Sequence, residues 1–224
     1  MTAVNETGFL YPFLDASEDN PEKLLADLAA SARAKIDESS ALQRRTVAEH
    51  AERIGAAAQA MVARFRAGGR LYTFGNGGSS TDATTVASLF ARAPRGQSLP
   101  AWCLSDDQAI LTALSNDVGF DLVFARQLVA CGRSTDIALA LSTSGCSEDL
   151  VVAMGEARRR GMLTISFSGY DGGRLGVSDD VDFSFTVASQ SVHRIQEAQA
   201  HLAWHLWSTV QETLSSPAHV NGGA

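Results

Sequence analysis

The chain has 224 residues, 45% of them hydrophobic, with 18 Lys plus Arg against 25 Asp plus Glu and a net charge of −7. That is enough apolar content for one large α/β core, and too little clustered cation for a nucleic-acid surface. Cys103, Cys131 and Cys146 are odd in number and not spaced as metal ligands, which predicts a reducing cytoplasm rather than a disulfide framework. No secretory h-region opens the sequence and no apolar run approaches the roughly 18 residues needed to span a bilayer, so an intracellular protein with no membrane partner is expected.

Residues 1–21 read as an N-terminal arm, acidic and broken by Pro21. From there to 215 a single domain is expected, with helices over 22–68 and a loose tail at 216–224. Leu24, Leu25, Leu28, Ala32 and Ile36 give the first helix its spacing, and a second is predicted from about Ser40. In that second helix Val47, Ala51, Ile54, Ala58, Met61 and Phe65 step by four and three, a coiled-coil-like seam ending at Gly68-Gly69. Such a stripe covers either the sheet or another subunit. Subunit packing is the expected use, and with it a homo-oligomer.

Short apolar runs then alternate with helical ones, the signature of a parallel sheet wrapped by helices. Strands are predicted at 70–74, 99–104, 137–141, 163–167 and 183–187. Helices are predicted at 81–93, 107–115, 120–129, 147–160 and 191–214.

Two strand-to-helix loops carry the chemistry. Leu71-Tyr72-Thr73-Phe74 stops at Gly75-Asn76-Gly77-Gly78, whose open backbone lets amides approach a ligand, and Ser79 and Ser80 stand where a helix would be capped. A strand, a glycine turn and a helix N-terminus make an anion site, although the P-loop lysine and the GxGxxG spacing are both missing. After Ile137 to Leu141 comes Ser142-Thr143-Ser144-Gly145-Cys146-Ser147, where hydroxyls and a helix start can hold phosphate without a fixed cation. An ordinary N-cap explains Ser147 but not Ser142, Thr143 and Ser144 together. In an open parallel sheet both loops lie beyond the carboxyl ends of the strands, where ligands bind.

Together with Leu111 to Phe120, Gly169-Tyr170-Asp171-Gly172-Gly173 and Arg194-Ile195-Gln196-Glu197, these loops resemble the sugar isomerase (SIS) domain family, and within it the phosphoheptose isomerases. The resemblance implies a three-layer α/β/α sandwich around a five-stranded parallel sheet, tetramers built from the N-terminal helices, and a sugar phosphate such as sedoheptulose 7-phosphate as ligand. It places the phosphate on Ser142, Thr143, Ser144 and Ser147. It lines the sugar with Asn76, Gly77, Gly78, Ser79, Asn116, Asp117 and Gln196. Asn116 and Asp117 equally suit a turn before Gly119.

The same resemblance implies a zinc site, with a His and a Glu four residues apart after the glycine loop and a late His eight residues beyond the Gln of RIQE. Those positions hold Thr85, Leu89 and Trp204, so no metal or other cofactor is expected. His201 and His205 sit on another face of their helix and do not replace the missing ligands. His193 and Asp117 are the candidate acid/base residues for an enediol proton shuttle. Two functions follow: an isomerase working without the usual zinc, or a catalytically silent phosphosugar sensor or protein-binding platform, as in DiaA-like relatives.

Overall fold

The computed structural model describes residues 21–216, so most of the expected arm and tail lies outside the described residues. Among the described residues, those up to Ser40 and those from Ala41 onward fall into separate compact units. The first is the opening stretch of helix α1 (Pro21–Glu49), which exposes Leu24, Leu25, Leu28 and Ile36. The break predicted near Ser40 is absent. The helix runs to Glu49, and α2 (Ala51–Arg66) starts after His50. Sequence periodicity could not find this break, because it is held by a tertiary contact: His50 Nε2 lies 3.0 Å from the Thr186 carbonyl oxygen, with the ring edge-on to Phe185.

Five strands form one parallel sheet in the order β2-β1-β3-β4-β5: β1 (Leu71–Gly75), β2 (Ala101–Cys103), β3 (Ile137–Leu141), β4 (Leu163–Gly169) and β5 (Phe183–Val187). All five predicted strands are present. Because side chains alternate across a strand, Leu71 faces one layer and Tyr72 and Phe74 the other. Leu71, Ile137, Leu139, Ile165 and Phe167 join α2, α3 (Gly78–Ala91) and α8 (Val192–Ser215) in one buried cluster. Tyr72, Phe74, Ala138 and Ala140 join α5 (Val123–Cys131) and α6 (Glu148–Arg159) in the second. The remaining helices are α4 (Gln108–Asp117), preceding a 3₁₀ turn over Phe120–Leu122, and the short α7 (Gly173–Gly176). This is the three-layer arrangement expected.

The α2 seam needs a correction. Ile54, Ala58, Met61 and Phe65 are buried in this chain's own core, packed with α8 and the sheet. An apolar stripe says only that something covers it, and here the cover is intramolecular.

Candidate functional site

Chain connections leave β1 and β3 in opposite directions, so the gap between their carboxyl ends is the sheet's switch point, where ligands of open α/β sheets bind. Both predicted loops open there. α3 begins three residues earlier than predicted: Gly77, at φ +54°, is its N-cap, and the helix starts at Gly78. Ser79 and Ser80 are first-turn residues whose amides bond to the Asn76 and Gly77 carbonyls at 3.0 Å. The turn is tight because a Cβ on Gly75 would come within 2.7 Å of the Leu141 carbonyl oxygen and one on Gly78 within 2.4 Å of Gln196 Nε2.

The second loop is built around its own hydroxyls. Ser142, buried, accepts a 2.9 Å bond from the Gly145 amide, and Ser144 Oγ accepts one of 3.2 Å from Cys146. Gly145 takes φ +66° and packs so closely on the loop after β4 that a Cβ would sit 2.0 Å from the Gly172 carbonyl oxygen. Gln199, fully buried on α8, donates 2.8 Å to the Ser142 carbonyl and fixes the loop from below. Ser147 is the N-cap of α6, yet its side chain makes no capping bond. Its hydroxyl is thus not used as a cap.

These residues enclose a cavity of about 100 Å³ lined by Asn76, Ser79, Ser142, Thr143, Ser144 and Ser147, floored by Leu141 and Leu150. It is phosphate-sized, hydroxyl-rich, and set against the start of α6, where the helix dipole favours an anion. The structure therefore gathers all four predicted phosphate residues, and Asn76 and Ser79 with them.

Asn76 has a role the sequence did not disclose. Its Nδ2 donates to both carboxylate oxygens of Asp149, at 3.0 and 2.8 Å, and so ties the β1 loop to the first turn of α6. Burial pushes the Asp149 carboxyl above its ordinary value, and the bonds from Asn76 and from the Leu150 amide oppose that shift. Asn116 and Asp117, by contrast, are exposed at the end of α4, bonded to each other at 3.0 Å, and line neither this cavity nor the next.

A second cavity of about 240 Å³ adjoins the first, with Leu141 in the wall of both. It lies between α3, which contributes Asp82, Thr85, Val86 and Leu89, and α8, which contributes Ala200, Ala203 and Trp204. All three positions that the resemblance equates with zinc and proton-transfer groups therefore meet in one place. The Thr85 hydroxyl donates to the Thr81 carbonyl at 3.0 Å, Leu89 packs on the core, and Trp204 lies tilted against Trp207 with the Arg95 guanidinium over both rings. Gln196 Nε2 donates to Asp82 Oδ2 at 3.3 Å. Burial raises the Asp82 carboxyl above its ordinary value, and that bond opposes the shift. Asp82 was not anticipated, since a lone acid within a helix gives no pattern to read.

His193 is exposed in the first turn of α8, on the helical face that also carries Gln196, Ala200 and Trp204. His201 and His205 form a pair of their own, Nε2 to Nε2 3.2 Å. Burial, then the neighbouring His205, lowers the His201 imidazole. Among the described residues no group of three or more His, Cys, Asp or Glu is arranged to hold a metal ion.

A parallel sheet of this order with a hydroxyl-lined cavity at its switch point defines an open α/β domain of the ligand-binding kind, and the SIS domain model matches residues 36–169. The chain belongs to the SIS domain family, in its phosphoheptose isomerase group. A phosphoheptose isomerase of Roseiflexus sp. is 42% identical over 182 residues, spanning 80% of this chain and 91% of the relative. Among solved structures, phosphoheptose isomerase GmhA from Neisseria gonorrhoeae aligns at TM-score 0.75 and 30% identity, covering 83% of this chain and 99% of that one. A phosphoheptose isomerase from Francisella tularensis aligns at 0.76 and 29% identity, covering 82% and 98%.

Proposed function

We propose that this chain binds a sugar phosphate of the sedoheptulose 7-phosphate class at the two switch-point loops, and that its isomerisation of that sugar is feeble or absent. The observation that carries the reading is the cavity of about 100 Å³ in which Ser142, Thr143, Ser144 and Ser147 converge beside an α6 N-cap whose hydroxyl makes no capping bond. The relatives are named phosphoheptose isomerases, which supports a heptose phosphate as the class of sugar.

Aldose-ketose isomerisation moves a proton between neighbouring carbons, which needs a positioned base and a group that stabilises the enediolate. A zinc site needs three or four N, O or S donors. Of the four corresponding positions Gln196 alone keeps an amide oxygen, Thr85 offers a hydroxyl already bonded to backbone, and Leu89 and Trp204 offer no ligand atom, so the set does not fit zinc. Any residual proton transfer falls to Asp82, which lines the cavity, or to His193 on the adjoining face of α8, with Asp117 a weaker candidate because it lies outside both cavities.

A second reading, a protein-binding platform in place of an enzyme, is favoured by the same loss of donors. A homotetramer in the cytoplasm belongs to both readings. It is supported by the exposed Leu25, Leu28 and Ile36 of α1 and by the exposed, unbridged Cys131 and Cys146.

Isothermal titration of the full chain with inorganic phosphate and with sedoheptulose 7-phosphate tests the binding reading. Saturable binding that is lost in a Ser144→Ala/Ser147→Ala variant is expected. Absence of binding by both ligands, or equal binding by that variant, refutes it.

A further inference from the structure

His201 and His205 stand four residues apart on α8, the one-turn spacing that brings two side chains to the same helical face. Neither lines the phosphate cavity or the second cavity beside it. Neither is among Thr85, Leu89, Gln196 and Trp204, the positions that the resemblance equates with the family's zinc site. Both side chains are half-buried, on a helix anchored in the core by Leu202 and Leu206.

The two rings meet at their tips. Nε2 of one lies 3.2 Å from Nε2 of the other, with the ring centroids 4.7 Å apart and the planes at 75°. A neutral imidazole carries a proton on one nitrogen and a lone pair on the other, so a bond between the two Nε2 atoms uses one of each. A metal ion can take the place of the shared proton. Two imidazole nitrogens held at about 2.05 Å by a tetrahedral zinc lie about 3.3 Å apart, and right-angled bonds of that length bring them to about 2.9 Å. The observed 3.2 Å falls between these values, so an ion could be taken up with little movement of either ring. Zinc-binding helices place two histidines at this same spacing.

We infer that His201 and His205 chelate one divalent ion of the imidazole-preferring kind, zinc, nickel or copper, at a site on α8 separate from the phosphate seat. Each ring turns its Nε2 lone pair to the ion and keeps its proton on Nδ1. Among the described residues no third His, Cys, Asp or Glu joins the pair, so water fills the remaining coordination positions. The ion ties one turn of α8 to the next. Only the folded helix holds both nitrogens at this separation, so binding favours the folded state.

Isothermal titration of the full chain with nickel, zinc and magnesium salts tests the site, in a Cys131→Ser/Cys146→Ser background that removes the two exposed thiols as competing ligands. One saturable site per chain is expected for nickel and zinc and none for magnesium, which takes oxygen ligands. His201→Ala and His205→Ala should each weaken nickel binding at least about 10-fold, the loss that even an outer-shell partner of a metal ligand can cause. The double variant should bind no worse than either single one, because chelation needs both rings, and His219→Ala should bind as the parent does. Zinc should raise the Tm of the parent and leave that of the two histidine variants unmoved. Nitrogen NMR of the imidazoles keeps the test independent of how the variants fold: zinc should hold both rings of the parent as the Nδ1–H tautomer. Absence of nickel and zinc binding, nickel affinity unchanged in both single variants, or imidazole resonances that zinc does not shift overturns the inference.

Discussion

Replacing Asn76 with alanine should reveal how the two loops are tied. The substitution leaves the carboxylate of Asp149, 3% exposed, without the two bonds of 3.0 and 2.8 Å that Asn76 Nδ2 gives it. Hydrogen bonds to a charged group contribute about 1.5–3 kcal/mol, and a buried charge left without its partner costs at least as much. A loss of about 2–3 kcal/mol at neutral pH is therefore expected, a fall in Tm of roughly 4–12 °C for a domain of this size. The pH dependence fixes the cause. Burial already raises Asp149 above its ordinary 3.8, and removing the opposing bond raises it further, so the variant's carboxyl takes up a proton at a higher pH than the wild type's. Protonation relieves the desolvation penalty, so the gap between variant and wild type should be widest above the raised value and narrow as pH falls through it. Urea unfolding of both proteins at several pH values measures this directly. A gap under about 0.5 kcal/mol, or one that does not change with pH, would refute the clamp. In a double-mutant cycle Asp149→Asn should absorb most of the Asn76→Ala effect, since no buried charge is then stranded.

Other expectations follow from the same geometry. Inorganic phosphate at about a hundred times its Kd should stabilise the wild type by roughly 2.7 kcal/mol in a thermal-shift assay, and the Ser144→Ala/Ser147→Ala variant much less. Asp82 is also raised by burial above its ordinary 3.8, so its contribution to stability is full below that value and is lost as pH rises through the raised one. Asp82→Asn should flatten this part of the stability profile and raise stability at pH 7, and a steeper profile would contradict the assignment. If α1 mediates assembly, Leu28→Asp/Ile36→Asp, at positions 57% and 63% exposed, should lower the sedimentation coefficient without lowering Tm by more than a few degrees. A wild type that sediments as a monomer at micromolar concentration would remove the proposed tetramer.

The sheet was legible because its strands are short and apolar, and the three inner ones are buried on both faces. For β3 and β5 the predicted and observed bounds coincide, and β3 shows no exposed position at all. The phosphate loop was legible for a related reason, since three serines and a threonine around Gly145 exceed what a turn requires. What stayed hidden depends on partners distant in the chain. Asn76 reads as a ligand residue until Asp149, 73 positions away, is seen to accept its hydrogens. Gln199 reads as one more helix residue until its bond to the Ser142 carbonyl appears. The start of α3 was misplaced because Ser79 and Ser80 are good caps by type, whereas Gly77 at φ +54° makes the turn. The α2 stripe was assigned to a second subunit because spacing alone cannot say which surface lies beneath it.

The central claim is that the phosphate seat persists where the proton-transfer machinery has been replaced. Turnover of saturating sedoheptulose 7-phosphate by the full chain, with and without added zinc, tests it most directly. Enzymes ordinarily turn over at roughly 1 to 10³ per second, and a missing acid/base group alone removes about 10² to 10⁴ of that. The predicted result is turnover at least a hundredfold below the ordinary range and indifferent to zinc. Metal-free turnover within that range, or activity that appears on adding zinc, would contradict the account.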